Sequence, residues 1–77
     1  MTKIDISNLH TTKLGVLRIK RNLGLDTDDV VNYCKRAVLS VDSGSILQKG
    51  KNWYVNCNGF TLTINRHSNT IITAHIN

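Results

Sequence analysis

His75 and Thr73 are the pair in this chain best suited to acid–base chemistry. They lie two apart in the run Thr70–Ile76, which reads as a β-strand, so they share a face about 7 Å apart. The preceding run, Phe60–Asn65, offers Thr61, Thr63 and Asn65 on one of its faces. Were these polar sets to converge, His75 could act as general acid or base near neutral pH. A cation such as Arg18 could then stabilise the pentacoordinate phosphate formed when a ribose 2′-hydroxyl attacks its own phosphodiester. That chemistry needs a base, an acid and a cation, and no metal. His67, beside Arg66, and His10, before the first helix, are the other histidines available for a second proton transfer. The plainer reading of His75 is a terminal-strand residue bonded to a neighbouring carbonyl.

The charge balance points to a polyanionic partner, RNA first. Ten Lys and Arg stand against five Asp and Glu, a formal net charge of +5, which suits a nucleic acid. Arg18, Lys20, Arg21, Lys35 and Arg36 fall on two expected helices, Lys49 and Lys51 on a turn, and Arg66 in a loop. The acids concentrate elsewhere, at Asp26, Asp28 and Asp29. Such cations could hold a phosphate backbone; the alternative is a solvated helix face. Trp53 and Tyr54 follow the lysine turn and point to opposite faces of one strand. Trp53 is expected to anchor the core, leaving Tyr54 to stack a base. No Gly-rich phosphate loop, nucleophile elbow, metal-ligand pair or paired carboxylate occurs, so no metal or cofactor is expected.

The elements that position these residues follow from pattern. A chain of 77 residues makes one domain with a thin, largely aliphatic core. Met1–His10, with Ile4 and Ile6 alternating, reads as a short strand or an arm laid on the domain, and as the segment most prone to be loose. Thr11–Asn22 reads as a helix capped by Thr11 or Thr12, with Leu14 and Leu17 in its apolar stripe and Val16 and Ile19 in support. Gly15 marks a close approach, and Gly24 suits the left-handed position after the helix. Asp26–Ser40 reads as a second helix, capped by Asp26 or Thr27, with Asp28 and Asp29 facing its positive end and Val30, Cys34 and Val38 along its apolar face. Strands are expected over Ser45–Gln48, Trp53–Cys57, Phe60–Asn65 and Thr70–Ile76. Asn58-Gly59 signals a type I′ hairpin. The fold expected is α+β: a two-helix hairpin over 11–40 packed on one face of a four-stranded antiparallel meander over 45–77, the other face partly open. A four-residue loop over Arg66–Asn69 would pair Asn65 with Thr70 and put His75 opposite Phe60. A slip of one residue would instead bring the polar sets together, and the pattern does not choose.

Cys34 and Cys57 are too far apart in type of element and in sequence to suggest a disulfide framework or zinc site, and reduced, structural thiols are expected. The absence of an apolar leader or of a run long enough to span a bilayer points to a cytoplasmic protein with no membrane partner.

The segments TTKLGVLRIKRNLGL, GKNWYV and TINRHSNTIITAH resemble a family of short, uncharacterised bacterial proteins, domain of unknown function 3781, over about Thr11 to His75. That resemblance implies no activity and no catalytic residue. In layout, helices followed by a meander ending in a strand with Thr and His, the chain also resembles the small ribonuclease toxins of the barnase–colicin–RelE group. It lacks the C-terminal helix or tail that many RelE-type toxins use in their active sites. The function expected is a small basic RNA-binding protein, with a metal-independent ribonuclease toxin as its catalytic form and a protein antitoxin as its partner. The alternative is a non-catalytic phage or mobile-element protein that inhibits a bacterial defence nuclease, in the manner of an anti-CRISPR. A homodimer through an exposed sheet edge is a further possibility.

Overall fold

A computed structural model describes residues 4–77. Two helices precede a four-stranded antiparallel sheet in the order β1-β2-β3-β4, the α+β layout expected from the sequence.

Helix α1 spans Lys13–Leu23. Thr12 caps it, its Oγ1 accepting from the Gly15 N–H at 3.0 Å, so one of the unpaired first-turn donors is satisfied. Lys20 and Arg21 sit in the last turn, where the partial negative charge of the helix end favours cations. Gly24 ends the helix at φ 63° and ψ 41°, a left-handed conformation costly for residues with a Cβ.

The apolar face of α1 differs from the expected one. Leu14 and Leu17 are 69% and 64% exposed, whereas Ile19 is fully buried. Gly15 is buried too, with Val16 and Leu23 packed against the core. The spacing Gly15–Ile19–Leu23 is the true stripe, and the small residue at its head hid it. Two tethers fix this rotation. Asn22 Nδ2 donates to the Ala74 carbonyl at 2.9 Å, and Thr11 Oγ1 donates to the Ile71 carbonyl at 2.7 Å. A Cβ on Gly15 would collide with Thr11 Oγ1. Gly15→Ala should therefore destabilise by about 1 kcal/mol, although alanine favours the helix by about that amount. In a Thr11→Ala background, where the Oγ1 collision is gone but the residue 11 Cβ and Thr12 Oγ1 remain close, the same change should cost clearly less, which a urea double-mutant cycle measures.

Helix α2 spans Val30–Ser40, later than the expected start at Asp26. Asp29, not Asp26 or Thr27, is the cap and accepts from the Asn32 N–H at 3.2 Å. Thr27 Oγ1 instead accepts from the Asp29 N–H, holding the chain in a local turn that competes with the helix. Asp28 is not at the helix end either. It pairs with Lys20 of α1, and the Lys20 hydrogen bond first, then its charge, holds the Asp28 carboxyl below the ordinary carboxylate range.

The strands are β1 (Ile46–Lys49), β2 (Asn52–Asn56), β3 (Phe60–Asn65) and β4 (Ile71–Ile76), within a residue of the expected bounds at every end. Gly50, at φ 62°, supplies the positive first position of the β1–β2 hairpin. The type I′ turn expected at Asn58-Gly59 does not form. Gly59 has φ 89°, but Asn58 is not at positive φ. The Gly59 carbonyl accepts from the Asn77 N–H at 3.1 Å, so the hairpin tip is shaped by β4 as well as by its own two residues.

One sheet face carries Ile46, Val55, Leu62 and Ala74 in register, with Trp53, Ile64 and Ile71 beside them. The helices pack on this face, α1 chiefly over β4, and contribute Ile19, Val30, Cys34 and Val38 to the core. The arm is not the loose segment expected, among the described residues. Ile4 and Leu9 are each 3% exposed, and Ile6–Asn8 form a 3-10 turn. His10 then pairs in parallel with Thr70, accepting from the Ile71 N–H at 2.7 Å. The arm and Asn22 thus cover much of the outer edge of β4. Met1–Lys3 of the expected arm lie outside the described residues.

Cys34 is buried and Cys57 half-buried, both free thiols. Burial first, then the charge of Cys57, pushes the Cys34 thiol up to about 12, and burial raises Cys57 also. Since the thiolate is the reactive form, iodoacetamide at pH 8 should label Cys57 slowly and Cys34 only after unfolding. Labelling of Cys34 first, read by mass spectrometry, would contradict the packing.

Candidate nucleic-acid interface

The feature that assembles the site is a β-bulge in β4. The Arg66–Asn69 loop pairs as its length implies, the Asn65 N–H donating to the Thr70 carbonyl at 2.8 Å. Ile64 then pairs with Ile71, but Thr63 pairs with Thr73, leaving Ile72 as the extra residue. The bulge slips the register by one, so His75 lies opposite Thr61 rather than Phe60. It also keeps both Ile71 and Ala74 buried, which strict alternation forbids because they are an odd number of residues apart.

The open face is therefore a ladder of mostly polar residues, interrupted by the exposed Leu47 at its β1 edge. Its first row is Asn56, Thr61 and His75; its second is Leu47, Tyr54, Thr63 and Thr73; its third is Lys49, Asn52 and Asn65. Thr61 and Thr63 form the floor, buried by their neighbours although no helix or strand among the described residues packs on this face. Thr61 Oγ1 lies 2.8 Å from Asn77 Oδ1 and 3.2 Å from Asn56 Oδ1, donating its one proton between them. Asn56 and Asn77 belong to this surface and were missed in the sequence, where Thr, His and, of the asparagines, Asn65 alone were followed. Tyr54 is half-buried on this face, as Trp53 is on the other.

His75 is exposed and its side chain has no hydrogen-bond partner among the described residues. The other histidines are at the far end of the sheet. His10 Nε2 meets Thr70 Oγ1 at 3.1 Å, and His67 lies in the turn braced by Asn65 Oδ1. From the Thr61 row to the Asn65 row is roughly 13 Å along a strand. Neither histidine shares a proton-transfer site with His75, which needs hydrogen-bond reach or one bridging water. Arg18 belongs to α1, in the layer on the other side of the sheet. The structure brings Thr73 and His75 together with Thr61 and Thr63. It does not bring Arg18 or a second acid to them.

The cations fall into separate groups. Lys49 and Lys51 flank Gly50 at one end of the sheet, and Arg66 joins them. The Arg66 N–H donates to the Lys51 carbonyl at 2.8 Å, and its guanidinium stands 5.8 Å from the Trp53 ring centroid, within cation–π range. Trp53 is half-buried and packed against the core, on the face opposite Tyr54. Arg18, Lys20 and Arg21 lie together on α1 around a shallow hollow. Lys35 and Arg36 lie on α2, with Arg36 beside Tyr33, which sits 6.1 Å from Phe60 between ring centroids. A second signal is compositional: from Ser43 to Asn77 there is no Asp or Glu. The whole sheet carries side chains that are cationic or neutral, while the acids lie in the helical half. Among the described residues no cluster of three His, Cys, Asp or Glu could hold a metal ion, and no helix is long and apolar enough to cross a membrane.

No curated protein and no solved structure matches the chain, and the likeness of layout to the ribonuclease toxins is not confirmed by these comparisons. A family model does match, over residues 3–75, described as a protein of unknown function, DUF3781. That match takes in both helices and almost all of the sheet, and the chain belongs to the DUF3781 family.

Proposed function

We propose that this protein binds single-stranded RNA on the open face of its sheet, with the backbone entering over Lys49, Lys51 and Arg66. The observation that carries the reading is the bulge-made ladder of mostly polar residues, open to solvent and without Asp or Glu. Tyr54 offers a stacking surface at its centre, and Asn52, Asn56, Thr73 and His75 offer donors and acceptors to bases and ribose. The cationic end supplies the sequence-independent electrostatic part of the affinity.

His75 acts in this reading as a contact to the strand. Cleavage through the 2′-hydroxyl asks for a second proton-transfer group and a cation beside it, and the nearest candidates lie elsewhere. The test is a titration of the 15N-labelled chain with an unstructured oligoribonucleotide in EDTA. Amide shifts should concentrate at Tyr54, Thr63, Thr73 and His75, and the RNA should remain intact from pH 5 to 8. No binding at low salt would end the proposal. Cleavage that vanishes in His75→Ala would replace it with the ribonuclease reading.

A further inference from the structure

The outward face of α1 presents a second surface, on the opposite layer from the sheet face and independent of the RNA proposal. Leu14 and Leu17 are 69% and 64% exposed, and with Leu25 they line a shallow hollow of about 640 Å³ rimmed by Arg18, Lys20 and Arg21. Adjacent leucines left in water on a helix face mark an interaction surface more often than isolated ones do. Lys20 is engaged by Asp28. Arg18 and Arg21 have no carboxylate partner among the described residues. The surface therefore offers apolar anchorage and unneutralised guanidinium groups within one helical turn.

We infer that this hollow docks an acidic amphipathic helix of a partner protein. The apolar floor decides against a phosphate chain, which gains nothing from leucine. The guanidinium rim decides which helix fits: one whose leucine-type residues recur at i, i+3, i+4 and i+7, flanked by Glu or Asp that Arg18 and Arg21 can hold in two-point contacts. Charge complementarity of this kind selects the partner and speeds encounter, while the apolar contacts slow its release.

The probe is a fluorescein-labelled synthetic helix of Glu, Ala and Leu with that spacing, set beside a version with Lys in place of Glu, read by anisotropy on the whole chain. The acidic peptide should bind and the lysine peptide should not. Leu14→Ser with Leu17→Ser should weaken binding by on the order of tenfold while leaving the circular dichroism unchanged, since both side chains are already in water. Arg18→Glu with Arg21→Glu should reverse the preference between the two peptides, a gain that misfolding cannot produce. Equal binding of both peptides, no binding of the acidic one, or indifference to both pairs of substitutions would overturn the inference. So would phosphatidylserine vesicles sedimenting the chain through Leu14 and Leu17 while the peptide fails, or dimerisation in the ultracentrifuge abolished by the serine pair. Those results would assign the surface to lipid or to a second copy.

Discussion

Leu62→Ala should cost about 2–5 kcal/mol. Leu62 lies in the central strand β3, fully buried, paired with Val55 on one side and Ala74 on the other. Ala74 is already the smallest side chain of that row, so it cannot swing into the space, and Val55 is itself fully buried. The cavity should persist, which puts the cost toward the upper part of that range. A domain of 77 residues has a total stability of about 4–12 kcal/mol at the usual 0.05–0.15 kcal/mol per residue. One methyl-rich side chain thus accounts for a large share of it. The midpoint of thermal unfolding should fall by at least about 10 °C, with urea denaturation giving the free energy directly. Leu17→Ala is the matched control. It removes the same atoms from a position that is 64% exposed and should change stability by no more than about 0.5 kcal/mol. A Leu62 variant as stable as this control would mean that the helices do not pack on the β3 face.

What the residues announced in advance, and what they did not, divides along the range of the forces involved. The period-2 alternation of Phe60–Asn65 and the turn at Gly50 depend on neighbours a few residues away, and both elements stand where they were read. The helical hairpin with Gly24 at its hinge is equally local. The rotation of α1 is not. Leu14 and Leu17 look like the stronger apolar pair, but the helix turns Gly15 and Ile19 inward because residues about 50 and 60 positions away, at the Ala74 and Ile71 carbonyls, tie down Asn22 and Thr11. The start of α2 was misread because Asp26, Thr27, Asp28 and Asp29 are all competent caps, and the Thr27 turn onto the Asp29 N–H together with the tertiary pairing of Asp28 with Lys20 separates them. The arm was underrated because its partner strand is 60 residues further on.

The candidate site shows the same division. That Thr73 and His75 share a face follows from strand geometry alone. Which face is decided at Ile72, and a bulge there leaves no mark in a run of β-branched residues. The burial of Ile71 and Ala74 together demands it, and that demand becomes visible only when α1 is seen lying on β4. Deleting Ile72 should therefore preserve the opposition of Thr61 and His75, since the strand would simply become regular with its faces unchanged. A cross-strand nuclear Overhauser contact between Thr61 and His75 would record it. The scatter of the cations was likewise beyond reach of sequence. Arg66 joins Lys49 and Lys51 because its backbone bonds to Lys51 across the sheet end, whereas Arg18 is carried to the opposite layer by the helix that bears it.

The largest functional effect should come from that sheet-end group. Lys49→Gln, Lys51→Gln and Arg66→Gln together remove the cations nearest the polar ladder and add no acid. If a single strand of RNA is neutralised by about three such contacts, log K should fall with log salt at a slope of roughly −2. Affinity would then drop by about 16-fold between 50 and 200 mM salt. The triple variant should lose most of that slope and bind weakly at every salt concentration, its residual affinity coming from stacking. Tyr54→Ala should behave in the opposite way, losing about 5–150-fold in affinity with the slope intact, because an aromatic ring displaces no counterions. The two substitutions thus separate the electrostatic from the stacking part of one surface by slope against intercept. Arg18→Gln with Lys20→Gln and Arg21→Gln is the control of equal charge. It lies behind the sheet and should shift the slope by much less than the sheet-end variant. A greater loss from the α1 variant would move the RNA to the helical layer. It would also leave the polar ladder, with its exposed His75, as a protein-facing surface.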